Sequence, residues 1–175
     1  MVREGYAAVT TRRVALEAGI KAPLVHYYFP TTDDLLLAMY RRSAERSHDA
    51  TMEALKSCRP LEALWRLGDD ADYARLGMEV IALANHRQSL REEIVQTAEA
   101  YRVIQTEALS KALERELGGA LGPVLREAGA GPTGLIVLIA GLARTLATEG
   151  AIGVSTGHAE ARALIDWLLR RAEPS

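Results

Sequence analysis

The segment at residues 10–35, TTRRVALEAGIKAPLVHYYFPTTDDL, decides the predicted fold because it contains two short helices separated by a glycine. The first is predicted to begin at Thr10–Thr11, which are good N-caps, and to run to Ala18. Gly19 ends it with a tight turn, and a second helix is predicted over residues 22–28, before Pro30. Two short helices joined in this way form a helix-turn-helix, whose second helix enters the major groove of DNA.

The outward-facing residues of these two helices are the candidate DNA contacts. Small residues in the first turn of the second helix allow a close approach to base edges, and a leucine can contact a thymine methyl group. Hydroxyl, imidazole and guanidinium groups can donate to phosphate oxygens. The candidates are Thr10, Thr11 and Arg12 on the first helix and Lys21, Ala22, Pro23, Leu24, His26 and Tyr27 on the second.

The remaining residues of the segment are predicted to face the core. An apolar stripe on the first helix and one on the second are joined by Ile20, which we expect to fill the space between the helices. The predicted inner residues are Val14, Ala15 and Ala18 on the first helix and Val25, Tyr28 and Phe29 on the second. The same pattern occurs in helical cores that do not bind DNA, so from the residues alone both interpretations stay open.

The segment resembles the tetracycline-repressor (TetR) family of bacterial transcription regulators, with motif positions in unbroken spacing. These read Thr10, Arg12, Val14–Ala15, Ala18–Gly19–Ile20, Lys21, Val25–His26–Tyr27–Tyr28–Phe29 and Pro30–Thr31–Thr32–Asp33–Asp34–Leu35. The resemblance implies a DNA-binding head, a double-stranded DNA operator, a homodimer built from the last two long helices, and a small, mostly apolar effector bound in the body. It covers the head, and the body resembles the family only in helix number, helix lengths and a closing pair of apolar helices.

Three positions depart from the family pattern. Lys21 replaces the usual capping residue of the second helix, which should weaken the cap by about 1 kcal/mol while placing a charge near phosphates. His26 replaces the first tyrosine of the family motif, and Thr32, a further candidate DNA contact, replaces a common lysine. Residues 1–50 carry seven basic and six acidic residues, so their net charge is only +1.

The rest of the chain is predicted to be helical throughout, which makes the expected fold all-α: a helix-turn-helix head joined to a ligand-binding and dimerisation body. We place the head at residues 1–46 and the body at residues 47–175. Residues 135–143 are apolar on every face, which favours a dimer independently of the resemblance. Candidate effector contacts are Trp65, Tyr73, Met78, Tyr101, Gln105 and Arg144, although aromatic residues and methionine at helical spacing are more often core.

Composition excludes several other classes. The 175 residues are 49% hydrophobic and carry a net charge of −2, which is typical of a globular chain. Cys58 is the single cysteine, so no intrachain disulfide can form, and a reducing cytoplasm is the expected location. The longest apolar run, residues 134–143, is shorter than the roughly 20 residues of a membrane span. No catalytic set, metal-ligand spacing or cofactor motif is recognisable.

The start of the chain differs from the family pattern, and two alternatives to a DNA-binding regulator stay open. Family members carry a full helix before the turn that corresponds to Gly5–Tyr6, whereas this chain has only Met1–Glu4 there. We therefore expect a head that lacks its first helix. One alternative is a ligand-sensing protein of the same fold that no longer binds DNA, and the other is an all-helical small-molecule binding protein or enzyme.

Overall fold

The computed structural model describes residues 9–117 and 121–172, and these residues form nine helices and no strand. The prediction of an all-α fold is confirmed. The helices are α1 (Thr11–Glu17), α2 (Ala22–Tyr28), α3 (Thr32–Ala54), α4 (Pro60–Gly68), α5 (Ala71–His86), α6 (Gln88–Leu117), α7 (Leu121–Glu127), α8 (Pro132–Ala151) and α9 (His158–Ala172). The predicted turn at Gly5–Tyr6 lies outside the described residues.

The chain divides into two compact units, and α3, α5 and α6 each contribute to both. The head unit comprises residues 1–47 and 75–99, and the body unit comprises residues 48–74 and 100–175. The division inside α3 lies close to the boundary that we placed after residue 46, but residues 75–99 also belong to the head unit. The reason is apolar packing, because Leu83 and Leu90 from this segment are buried in one cluster with Leu35 and Leu36 of α3.

The head unit is held together by this small cluster, which also includes the buried Val9. Half-buried side chains pack against it, among them Val14 of α1 and Phe29, the residue that ends α2. Backbone contacts between α1 and α2 complete the helix-turn-helix. The position of α2 therefore depends on α1 and on the residue that follows its last turn.

The body unit has a larger core, to which α4, α6, α8 and α9 contribute. Its buried residues are Leu55, Leu61, Leu64, Trp65, Leu109, Leu113, Ile136, Ala143, Leu146 and Leu169. Helices α4 and α8 approach each other closely, because a Cβ atom added to Gly68 would lie 2.7 Å from the Cβ of Ala143. Only a residue without a side chain fits there, since such a distance is far below van der Waals contact.

Helix α8 is unusual in its composition. By length and composition alone, it is the one helix among residues 9–117 and 121–172 that is long and apolar enough to cross a membrane. Only 22% of its most apolar 18-residue window is buried within the chain. Several of its apolar side chains, Val137, Leu138 and Leu142, are exposed in the single chain.

We predict that Gly68→Ala destabilises the body unit. The added methyl group would force α4 and α8 apart, and overpacking of this kind costs about 1–3 kcal/mol. The expected result is a lower midpoint of thermal unfolding, measured by circular dichroism. Gly150→Ala is the matched control, because Gly150 is likewise a helical glycine, near the end of α8, but has open space around it. An unchanged midpoint for Gly68→Ala would contradict the close approach.

Candidate nucleic-acid interface

Helix α1 begins as the sequence predicts. Thr10 has extended backbone angles and is the N-cap, and its Oγ1 accepts a hydrogen bond from the backbone N–H of Arg13 at 3.2 Å. Thr11 is half-buried, whereas Thr10 and Arg12 are exposed. The start of α1 thus presents a hydroxyl group and a guanidinium group to solvent, and both are suitable donors to a phosphate.

The turn between α1 and α2 is a helix C-terminal motif that requires glycine. Gly19 has a φ of 65°, its N–H donates to the carbonyl of Leu16, and the N–H of Ile20 donates to the carbonyl of Ala15. This pair of hydrogen bonds is the Schellman arrangement, in which a left-handed residue ends the helix. It redirects the chain within four residues, so that α2 can begin at Ala22.

Helix α2 exposes nearly all of its side chains. Lys21 is its N-cap and makes no side-chain capping hydrogen bond, as its residue type predicts, and Pro23 lies in the first turn, where its missing N–H costs nothing. Val25 is the only buried residue of the seven in this helix. The candidate DNA contacts that are exposed are Lys21, Pro23, Leu24, His26 and Tyr27, and Ala22 is half-buried. They lie together on one short helix.

Three residues that the sequence assigns to the inner stripes are on the surface instead. Tyr28 is 66% exposed, Ile20 is 44% exposed, and Ala18 is also exposed. The prediction was wrong for these residues because helices this short bury only one residue each, Ala15 and Val25. The ring of Tyr28 instead makes an edge-to-face contact with Tyr27, with ring centroids 5.2 Å apart.

The turn that leads into α3 is closed by a capping box that the sequence analysis did not single out. The backbone N–H of Asp34 donates to Thr31 Oγ1 at 3.1 Å, and the backbone N–H of Thr31 donates to Asp34 Oδ2 at 3.0 Å. Thr31 Oγ1 also donates to Asp34 Oδ2, and these hydrogen bonds hold the pKa of the Asp34 carboxyl below its usual value. The spacing Thr-x-x-Asp was the available signal. Thr32 follows in the first turn and is exposed.

The candidate effector contacts fall into different environments. Trp65 is buried in the body core, Gln105 is half-buried on α6, and Arg144 is exposed on α8. Met78 lies in the head unit and is exposed, and the side chain of Tyr73 lies outside the described residues. These residues therefore do not converge in one unit, and their assignment stays a prediction.

One of these residues has a specific partner. The ring of Tyr101 on α6 stacks on the ring of His48 on α3, with centroids 4.2 Å apart and an interplanar angle of 18°. The Nδ1 atom of His48 is buried and has no hydrogen-bond partner. A half-buried polar aromatic pair therefore lies in the body unit.

Comparison with known proteins agrees with the geometry of the head. Residues 1–39 match the profile of a family described as bacterial regulatory proteins, tetR family. The head of the chain is therefore similar to the DNA-binding part of this family. The matched residues include α1, α2 and the first part of α3, so the match covers the helix-turn-helix and ends before the body unit. No curated protein and no solved structure matches the chain.

The tetR match supports a DNA-binding transcription regulator of this type. Members of the family are regulators rather than enzymes. Within the part of the chain that is described, the surface most suited to DNA is the exposed side of α2 together with the start of α1, since both carry donors and leave their side chains free of the core.

Proposed function

We propose that this protein is a cytoplasmic, homodimeric repressor that binds a palindromic operator and is released from it by a small ligand. The observation that carries the proposal is a helix-turn-helix of the tetR family whose second helix exposes every side chain except Val25 and the half-buried Ala22. A helix in the major groove must present its side chains to the bases, and α2 is free to do so.

The chemistry of α2 suits a division between base and phosphate contacts. Leu24 is exposed in the first half of the helix, where an apolar side chain can contact a thymine methyl group. Lys21 lies at the N-cap and Tyr27 is 78% exposed, and both can donate to phosphate oxygens. The low net charge of residues 1–50 means that such contacts, rather than a strong basic field, would supply the affinity.

We predict that Tyr27→Ala weakens DNA binding without unfolding the protein. The side chain is exposed, so its loss leaves the core intact, whereas losing a phosphate contact should reduce affinity by about tenfold. The probe is a duplex that the wild-type protein selects from a random-sequence library, and the measurement is a gel-shift titration with thermal unfolding alongside.

Tyr27→Phe is the first control, since it keeps the ring and removes only the hydroxyl group that would donate to phosphate. Leu16→Ala is the second, because Leu16 is an exposed apolar residue of α1 that is not among the candidate contacts. A collapse of the unfolding midpoint in Tyr27→Ala would mean that the ring is structural. Failure of the intact wild-type protein to select any duplex would instead favour a ligand sensor that does not bind DNA.

The dimer proposal is supported by two uncovered apolar stripes on the last two long helices. On α8 the stripe lies opposite the residues buried in the core, and its spacing of three and four residues follows one helix face. It comprises Gly134, Val137, Leu138, Gly141, Leu142 and Thr145, and on α9 it comprises Leu164, Trp167 and Leu168. Leu138 is 68% exposed and Leu164 is 57% exposed, which is costly in water for a single chain.

Small residues make α8 suitable for close packing against a second copy. Gly141 has open space around it, as does Gly134. Ala143 is instead fully buried against α4, and Ile165 packs on the core of its own unit. A two-fold dimer through this face would match a palindromic operator, because each half-site then meets one head.

We predict that Leu138→Glu converts the dimer into a monomer. A carboxylate at the centre of the stripe would have to be desolvated in the interface, which opposes association. The measurement is the molar mass by size-exclusion chromatography with light scattering. Val103→Glu is the matched control, since Val103 is exposed to the same extent but lies on α6.

Three outcomes are distinguishable. Monomeric Leu138→Glu with dimeric wild type and dimeric Val103→Glu supports the proposed interface. A wild-type protein that is monomeric in solution contradicts it. Sedimentation of the wild-type protein with phospholipid vesicles, lost in Leu138→Glu, would show that α8 is covered by a membrane instead.

The effector proposal is supported by the stacked Tyr101–His48 pair in the body unit, in which one ring nitrogen of His48 has no hydrogen-bond partner. Such a pair can contact a flat, mostly apolar molecule that carries one polar group. A compound that binds the free protein better than the DNA-bound protein would release the operator. We expect such a compound, found by thermal shift, to weaken the gel shift of wild type but not that of Tyr101→Ala. Release that is unaffected by the substitution would place the effector elsewhere.

A further inference from the structure

We propose that Asp33 and Arg87 are positioning residues for DNA recognition: their ion pair fastens the start of α3, and through it α2, to the corner between α5 and α6. This inference rests on the proposed DNA-binding role of α2. The two residues lie 54 positions apart in the chain, and Arg87 is the residue between α5 and α6. Neither is among the candidate DNA contacts.

The orientation of α2 depends on what its C-terminal end is attached to. The helix has only Val25 in the core, so apart from its contacts with α1 its orientation depends on the residues that follow it. Phe29 follows its last turn, donates its N–H to the carbonyl of Val25 at 2.8 Å, and packs against the apolar cluster of the head unit. Three residues after Phe29, α3 begins at Thr32. A small rotation of the first turn of α3 would therefore change the orientation of α2.

The connection between the two helices is stiff. The reciprocal hydrogen bonds between Thr31 and Asp34 close the first turn of α3, and Leu35 donates its N–H to the carbonyl of Thr31. Asp33 lies inside this closed turn. An ion pair to its carboxylate therefore restrains the whole hydrogen-bonded turn.

The other end of the pair is equally well fixed. The N–H of Arg87 donates to the carbonyl of Leu83 at 3.0 Å, and its own carbonyl accepts from the N–H of Arg91 at 3.0 Å. Arg91 also donates its side chain to the carbonyls of Ala84 and Asn85, which satisfies the end of α5. The corner that carries Arg87 is therefore held by its own hydrogen bonds.

Two further contacts join α3 to α6, but farther from α2. Arg41 Nε donates to Glu93 Oε1 at 2.8 Å, which holds the pKa of the Glu93 carboxyl below its usual value, and the Tyr40 hydroxyl donates to the carbonyl of Ile94 at 3.2 Å. These contacts hold the middle of the head segment of α3. The Asp33–Arg87 pair is the one that acts on the turn next to α2.

The pair contributes more to orientation than to stability. Its two side chains are 36% and 37% exposed, and ion pairs with this much solvent contact add little to the free energy of unfolding. Binding to DNA, in contrast, requires several side chains of α2 to meet phosphates and base edges at once, so a small misorientation weakens all of them together.

The test is a double-mutant cycle with Asp33→Asn, Arg87→Gln and the double variant, measured on a duplex selected by the wild-type protein. If the pair acts as a unit, each single change lowers affinity by about fivefold and the double change lowers it no further. If Asp33 and Arg87 affected DNA binding only through their charges, the pattern of affinities would be different. Removing Asp33 would strengthen binding to the DNA polyanion, removing Arg87 would weaken it, and the double variant would return to wild type.

Three controls separate positioning from other roles. Glu45→Gln removes an acidic group from the same helix, where its partner is Arg42 on the surface, and should leave affinity within twofold. Asp33→Glu keeps the carboxylate and should restore most of the affinity. The slope of log affinity against log salt should be unchanged in Arg87→Gln, because a direct phosphate contact would reduce it by about one.

The outcomes distinguish a positioning role from a direct charge effect, a structural role and the absence of DNA binding. Non-additive losses with an unchanged salt slope and an unchanged unfolding midpoint support positioning. Additive changes of opposite sign, a reduced salt slope in Arg87→Gln, or a large fall in unfolding midpoint overturn it while leaving the DNA-binding function intact. Failure of the wild-type protein to select a duplex overturns the proposed function and this inference together.

Discussion

A recognition helix with a single buried side chain must be oriented by its ends, and this constraint shapes the whole head unit. Helix α2 buries Val25, half-buries Ala22 and exposes its other side chains. Such a helix would not hold its position by itself, since isolated helices of this length are unstable in water. The glycine turn before it and Phe29 after it therefore supply the missing restraint, and α3 with the α5–α6 corner provides the surface to which they are attached.

In the body unit, one side of the apolar helix α8 is buried and the other side is exposed. Gly68 allows α4 to approach α8 closely at Ala143, so that side is packed tightly. The opposite side of α8 remains apolar and exposed, and α9 also carries exposed apolar residues. An exposed apolar surface of this kind often marks an interaction site, and it is the observation behind the proposed dimer.

Helix boundaries and the turn chemistry could be predicted from the sequence because they depend on neighbours in the chain. Thr10 as an N-cap, Gly19 as the turn residue and Pro23 in a first turn act within four residues of their own positions. The burial of individual residues was harder. Tyr28 and Ile20 have the side chains of core residues, but a seven-residue helix offers too little inner surface to bury them. Asp33 and Arg87 gave no signal, since nothing local links two charges so far apart.

The amino-acid sequence by itself determined the all-α class, the helix-turn-helix and the similarity of residues 1–39 to the tetR family, because periodicity, caps and a contiguous motif are local properties. The tertiary structure alone decided which apolar residues remain exposed, where Met78 and residues 75–99 lie, and which charges meet across the head unit. These features depend on how distant segments pack around a shared core, and packing is a property of the assembled chain that no single segment contains.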